Sequence, residues 1–238
     1  MPEAPVVLTN SILVALSREA QIVKVAIGGR MPEVAIAITG MGPVRARLGA
    51  QRQLAAGATV LLSVGFAGAL RAPLGVGDLL LSREVVDSTG HRYAADASMH
   101  SRLRRSLCAQ YRTHDVVLLS AAHVVGSVAD KNALGARFDV AVVDMESAVI
   151  AAVACDAGVP FAALRVVCDG PSQRIPICTK GALDAGGCVI IARLGSGLVL
   201  RPWKLFELGR LGITAAYAGR LLKRTLQCVF DGECAHTM

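Results

Sequence analysis

A single-domain, three-layer α/β/α fold with a mixed, mainly parallel central sheet is predicted for this chain on three observations. Apolar strand-like runs alternate with segments of helical spacing along its 238 residues, the order that builds a parallel sheet with helices on both faces. Ala, Val, Leu and Gly dominate a sequence that is 53% hydrophobic and 18% charged, which leaves ample apolar surface to bury and excludes disorder. Apolar runs broken by Gly pairs look like hairpins, which makes the sheet mixed rather than purely parallel.

Residues 5–9 read as a first strand and residues 11–20 as a short helix that carries Glu19 late in its length. Two further apolar runs, 22–27 and 34–39, are split by Gly28-Gly29-Arg30, as in a hairpin turn. Gly40-Met41-Gly42-Pro43 then opens a helix through Ala56, with Pro43 in its first turn and Gly57 just past its end. A continuous apolar strand over 59–64 leads into Gly65-Phe66-Ala67-Gly68, and a strand over 78–86 follows the turn Leu74-Gly75-Val76-Gly77. Residues 99–111 have helical spacing, 116–125 are strand-like, 129–137 form a short helix and 140–143 a strand. The helix 146–157, stopped by Gly158, and the strand 161–167 complete the alternation. Residues 172–187 are polar and glycine-bearing and read as a loop, and 189–230 read as helical. No repeat, low-complexity tract or linker divides the chain. Residues 1–238 are therefore taken as one domain, with a basic amphipathic helical C-terminal segment at about 187–230.

Composition narrows the function classes. The net charge of +7 suits nucleic acid, a membrane surface or an anionic substrate, but the arginines are spread along the chain and no nucleic-acid-binding motif accompanies them. With only 4% aromatic residues, a base-stacking surface is disfavoured, so no nucleic-acid partner is expected. Seven cysteines, odd in number and without a C-x-x-C pair, offer neither a disulfide framework nor a metal clip. With no cleavable signal at the start and no apolar run long enough to cross a bilayer, a reduced, cytoplasmic protein without a metal site is expected.

The acidic residues carry the chemistry. Asp144 with Glu146, and then Asp169, stand at the carboxyl ends of two successive strands, where ligands of open α/β sheets bind. Each also has a plain structural reading: Asp144 as a helix N-cap, Glu146 as a complement to the helix dipole, Asp169-Gly170-Pro171 as a strand-ending turn. Gly40 and Gly42 form a Gly-x-Gly turn, but Arg45 stands where a dinucleotide fingerprint has its third glycine, so a dinucleotide cofactor is disfavoured. That turn is either a plain tight turn or a close backbone approach to a small anion or sugar.

Taken together, Ala15-Leu16-Ser17-Arg18-Glu19-Ala20, Thr39-Gly40-Met41-Gly42, Ser63-Val64-Gly65-Phe66-Ala67-Gly68, Val76-Gly77-Asp78, Val143-Asp144-Met145-Glu146-Ser147 and Arg165-Val166-Val167-Cys168-Asp169 resemble, in order and spacing, the nucleoside phosphorylase and nucleosidase superfamily. Within it, Glu19 with its neighbours, the Gly-Phe-Ala-Gly segment and the Arg- and Leu-rich C-terminal region are most similar to the hopanoid-associated phosphorylases, which act on adenosylhopane. The resemblance implies cleavage of the N-glycosidic bond of a 5′-substituted adenosine, with methylthioadenosine or adenosylhomocysteine as the alternative substrates. A non-catalytic nucleoside- or lipid-binding protein on the same fold is the reading outside enzymes.

By the same resemblance, Asp169 is the general acid at the base, with a proton affinity raised by burial, and Glu19 positions or deprotonates the attacking water. Glu146 holds ribose hydroxyls, Met145 packs against the sugar, and Gly40, Gly42, Phe66, Ala67 and Gly68 line the nucleophile and base sites. Arg45 is the one arginine of its region suited to a phosphate, so inorganic phosphate stands beside water as the nucleophile, and no other cofactor is implied. Cys168 stands where relatives often carry serine, as does Phe66. The implied partners are a small or lipid-linked adenine nucleoside and further copies of the chain. The basic amphipathic C-terminal segment either packs on the core or a subunit interface, or lies on the inner face of an anionic membrane.

Overall fold

Eight strands and six helices make up the described part of the chain, which in the computed structural model comprises residues 10–107, 111–175 and 203–231, the side chains of 203–211 and 231 excepted. They follow in the order β1 (Ser11–Val14), α1 (Ser17–Ile27), β2 (Ala35–Ile38), α2 (Pro43–Ala55), β3 (Leu61–Ala69), β4 (Leu79–Val86) and β5 (Arg92–Ala94). Then come α3 (Ala97–Leu107), β6 (Thr113–Ser120), α4 (Val128–Phe138), β7 (Val142–Asp144), α5 (Ser147–Asp156), β8 (Phe161–Asp169) and α6 (Trp203–Asp231).

The sheet is mixed and mainly parallel, as expected. Pairings β1–β2, β1–β3, β3–β8, β4–β6 and β6–β7 are parallel, and β3–β7, β4–β5 and β4–β8 are antiparallel. Five of these pairings close a ring, β3–β8–β4–β6–β7 and back to β3. Strand β3 makes closure possible by changing partners along its length: its first half lies between β1 and β8, and its end, Gly68 and Ala69, meets β7. Alternation along β8 then sorts the layers. Ala162, Leu164 and Val166 face α1, α3 and α6, while Phe161, Ala163 and Val167 face α2 and α5. A third cluster of Leu70, Val86, Leu119, Val140 and Val143 is covered by Leu134 and Phe138 of α4.

Two readings of the sequence are corrected at the N-terminal end. Residues 11–20 are not one helix: Ser11–Val14 form a fully buried strand, and the helix begins at Ser17. It runs through the apolar stretch 22–27, whose β-branched residues suggested a strand. Glu19, Ala20, Val23, Ala26 and Ile27 are buried at helical spacing, so packing overrides the local preference. Gly28-Gly29 is consequently a helix stop, with Gly28 at φ 58° and its N–H donating to the Lys24 carbonyl, and β2 pairs parallel to β1 rather than as a hairpin. The strand expected over 59–64 runs on through Gly65-Phe66-Ala67-Gly68 to Ala69, and β5 had no counterpart among the expected elements. The first expected strand, at 5–9, lies outside the described residues, as do 176–202, which hold most of the expected loop and the start of the C-terminal segment.

Helix α6 packs against α1, α3 and β8, with Ala218, Leu222, Thr225 and Leu226 fully buried and Ile213 and Tyr217 exposed. Over 212–230, where its side chains are described, α6 is therefore a core-packing helix. Among the described residues no helix is long and apolar enough to cross a membrane.

Candidate active site

Strand β3 organises the site, because Gly68 near its end pairs with both Val143 of β7 and Asp169 of β8. The two acid-bearing strands, successive in sequence, are not paired with each other; each pairs with β3.

Glu19 stands in the first turn of α1, not late in it. Its carboxylate Oε2 accepts from the backbone N–H of Ala15 and Leu16, both at 2.9 Å, and Oε1 accepts from Phe66 N–H of β3 at 3.0 Å. One side chain thus closes the start of α1, as a glutamate at N3 does in a capping box, and ties it to the sheet. Gly65 is what lets it approach: a Cβ there would lie 2.5 Å from Glu19 Oε1. Burial raises the proton affinity of Glu19, against the opposing pull of Arg165 and the three N–H donors.

Glu146 precedes α5 and accepts from Gly42 N–H at 2.8 Å. Gly42 sits at φ 91°, a conformation open to glycine at little cost, which aims its N–H at the carboxylate. Burial first, then the Asp144 charge, push the Glu146 pKa from 4.5 to about 8, with Glu19 adding in the same direction. Glu19 and Glu146 line one cavity of about 10 Å³, together with Thr39, Ser63, Phe66 and Arg165. About 10–15 Å³ is the least that admits a water molecule.

Asp144 stood with Glu146 and Asp169 among the acids expected to carry the chemistry, but its oxygens are spent on the scaffold. It accepts from Ser120 Oγ and Ser147 Oγ, each at 2.5 Å, from Ser147 N–H, and from Arg165 Nε at 3.0 Å. Arg165 in turn donates to Ser63 Oγ at 2.6 Å and Ser147 Oγ at 2.8 Å. A lone arginine within the apolar run of β8 was the sequence signal for this network, since buried arginine requires a partner.

Asp169 is buried opposite Gly68, whose added Cβ would lie 3.0 Å from Asp169 Oδ2. The register of β3 against β8 slips between Ala67 and Gly68, leaving Cys168 as the extra residue of a bulge and turning Asp169 onto Gly68. The single S–H of Cys168 is shared between two acceptors, Asp169 Oδ1 at 3.3 Å and the Ala67 carbonyl at 3.5 Å. Burial, then the Asp169 charge, push that thiol well above its usual range, so it serves as a neutral donor. Sequence reasoning missed the other partner: Lys131 of α4, fully buried, forms an ion pair with Asp169 Oδ2 at 2.5 Å. Asp169 therefore faces a buried cation on one oxygen and the thiol on the other.

The remaining expected site residues are less concentrated. Asp169 does not line the Glu19–Glu146 cavity. Met145 opens instead into a second cavity of about 180 Å³ with Pro43, Arg47, Tyr93 and Ser120. Ala67 is core. Arg45 is exposed and folds over Gly40, where a Cβ would lie 2.8 Å from its Cδ.

Residues 17–180 match the Phosphorylase superfamily, and the chain belongs to that superfamily. Comparison with curated proteins gives no match. Among solved structures it is similar to the futalosine hydrolase of Helicobacter pylori, at 18% identity over 93% of this chain and 97% of that one, with a TM-score of 0.71. It is also similar to the 5′-methylthioadenosine/S-adenosylhomocysteine nucleosidase of Neisseria meningitidis in complex with methylthio-immucillin-A, at 19% identity over 91% and 97% of the two chains, TM-score 0.66. The Helicobacter pylori enzyme of the same name matches at 20% identity over 90% and 96%, TM-score 0.66. At these identities the likeness is one of fold.

Proposed function

We propose that this member of the phosphorylase superfamily hydrolyses the N-glycosidic bond of a 5′-substituted adenosine, releasing adenine, and that adenosylhopane is the substrate. The observation that carries the reaction type is the water-sized cavity faced by the two buried carboxyls of Glu19 and Glu146.

The cavity takes the nucleophile, and the sugar lies between it and Asp169. Water attacks the anomeric carbon while the bond to N9 breaks and its electron pair stays with adenine. Glu19 accepts the water proton, Asp169 gives its proton to N7 of the leaving base, and Glu146 holds the ribose hydroxyls. A positioned acid or base contributes about 10²–10⁴-fold each. Hydrolysis is favoured over phosphorolysis because a phosphate dianion is larger than this cavity of about 10 Å³. The reaction needs no cofactor beyond water and these side chains.

Adenosylhopane is supported by the resemblance of Glu19 and its surroundings to the hopanoid-associated enzymes, and by Phe66, which adds apolar surface where related enzymes often carry serine. Methylthioadenosine or adenosylhomocysteine is the second reading, favoured by the fold likeness to nucleosidases of that specificity. Purified protein incubated with adenosylhopane and with methylthioadenosine, each with and without phosphate, separates them. Adenine should appear from adenosylhopane without phosphate, and Asp169→Asn should abolish it in a folded protein. Efficient release from methylthioadenosine alone overturns the lipid substrate, and strict dependence on phosphate overturns hydrolysis.

A further inference from the structure

Helix α4 brings a fully buried lysine to the proposed acid. The Lys131 ammonium has three N–H groups and three acceptors: Asp169 Oδ2, the Gly170 carbonyl at 2.7 Å and the Gln173 carbonyl at 3.1 Å. The segment after β8 is tied to the lead-in of α4 a second time, by Ile175 N–H donating to the Gly126 carbonyl at 2.9 Å. The helix start is fixed by Ser127, whose Oγ accepts from Asp130 N–H at 3.0 Å. A saturated, solvent-excluded ammonium on a capped helix is an expensive arrangement unless the charge it faces matters.

We infer that Lys131 is the positioning residue of Asp169: it fixes the carboxyl at the base site and stabilises the carboxylate left when the proton has passed to N7. The inference rests on Asp169 being the acid. In that step the Asp169 O–H bond breaks, the N7–H bond forms, and the negative charge returns to Asp169 Oδ2 beside Lys131, which keeps all three of its protons. Few other groups face this carboxyl. β8 supplies the Cys168 thiol, on which Glu19 of α1 also acts; β3 supplies only Ala67 and Gly68; Arg174, on the following segment, is exposed. Lys131 is thus the one cation bonded to Asp169 among the described residues.

The test compares wild type with Lys131→Met, Lys131→Gln and Lys131→Arg. Without the ammonium, Asp169 holds its proton to higher pH, so the alkaline limb of kcat/KM should move up by about 1–3 pH units, as expected for loss of a neighbouring cation. The plateau kcat should fall about 10²-fold, because the conjugate base is no longer stabilised. Lys131→Arg should return the limb toward wild type. A purely structural lysine would lower activity without moving the limb.

Infrared titration of the Asp169 carboxyl, assigned by difference against Asp169→Asn, reads the same coupling without turnover. Its midpoint should rise in Lys131→Met and in Lys131→Gln, the second serving if the first does not fold. An unmoved midpoint in the folded variants overturns the inference. A midpoint that moves in a protein releasing no adenine upholds the pair and overturns the proposed function instead.

Discussion

Arg165 is the residue on which the others lean. It occupies the middle of an apolar strand, binds Asp144 through two nitrogens, donates to Ser63 and Ser147, and with Ser63 lines the Glu19–Glu146 cavity. Replacing it with methionine leaves Asp144 as a buried carboxylate without a cation, which should destabilise the protein by about 3–5 kcal/mol in denaturant unfolding. Arg165→Lys should recover only part of this, because one ammonium cannot reproduce two fixed nitrogens. Equal stability of wild type and Arg165→Met would show that the ion pair is not what secures this site. At this scale the sequence was informative where motif resemblance named Glu19, Glu146 and Asp169; the charge of Arg165 within an apolar run marks the network only once its burial is known. It was silent on Lys131, because a helical lysine beside Asp130 has the same local pattern whether solvated or buried.

Strand β3 shows how an element is shaped to its site. Its Gly65-Phe66-Ala67-Gly68 segment lies beyond the strand expected over 59–64, since glycine is a poor strand former, yet it continues the ladder to Ala69. The glycines are there for proximity: Gly65 admits the Glu19 carboxylate and Gly68 admits that of Asp169. Gly65→Ala should therefore displace Glu19, costing about 1–3 kcal/mol by overpacking and about 10²-fold or more in adenine release. Gly75→Ala is the control, since a Cβ there meets nothing within 4 Å. Loss of activity in both, or in neither, would separate the glycine of β3 from the role given to it. Elements bounded by Pro or Gly, such as α2 and α5, were legible from sequence because their ends are fixed by backbone chemistry. The β1–α1 region was not, because 22–27 has strand-like composition and only burial against the sheet selects the helix.

Packing of α1 and α5 on the five-stranded ring brings carboxyls from distant parts of the chain into a buried interior, and the whole molecule bears that cost in its response to pH. Glu146 binds its proton up to about pH 8 in the folded state and to the usual 4.5 when unfolded, and Glu19 is shifted in the same direction. Between those limits the folded protein holds more protons than the unfolded chain, so stability falls as pH rises. The stabilising contribution is fully present below 4.5 and is lost as pH passes through about 8. Other shifted acids act elsewhere: Asp87 and Asp96 are lowered from 3.8 and act below that value, and Cys168 is raised well above 9. Denaturant unfolding at pH 5.5, 6.5, 7.5 and 8.5 should show a steady loss of stability for wild type. Glu146→Gln, which still offers an oxygen to Gly42 N–H but has no proton to lose, should flatten most of that slope. A flat wild-type profile, or a slope unchanged in Glu146→Gln, would mean that the cavity between Glu19 and Glu146 is wetter than its burial implies, and with it the enclosed water site proposed for the nucleophile would fail.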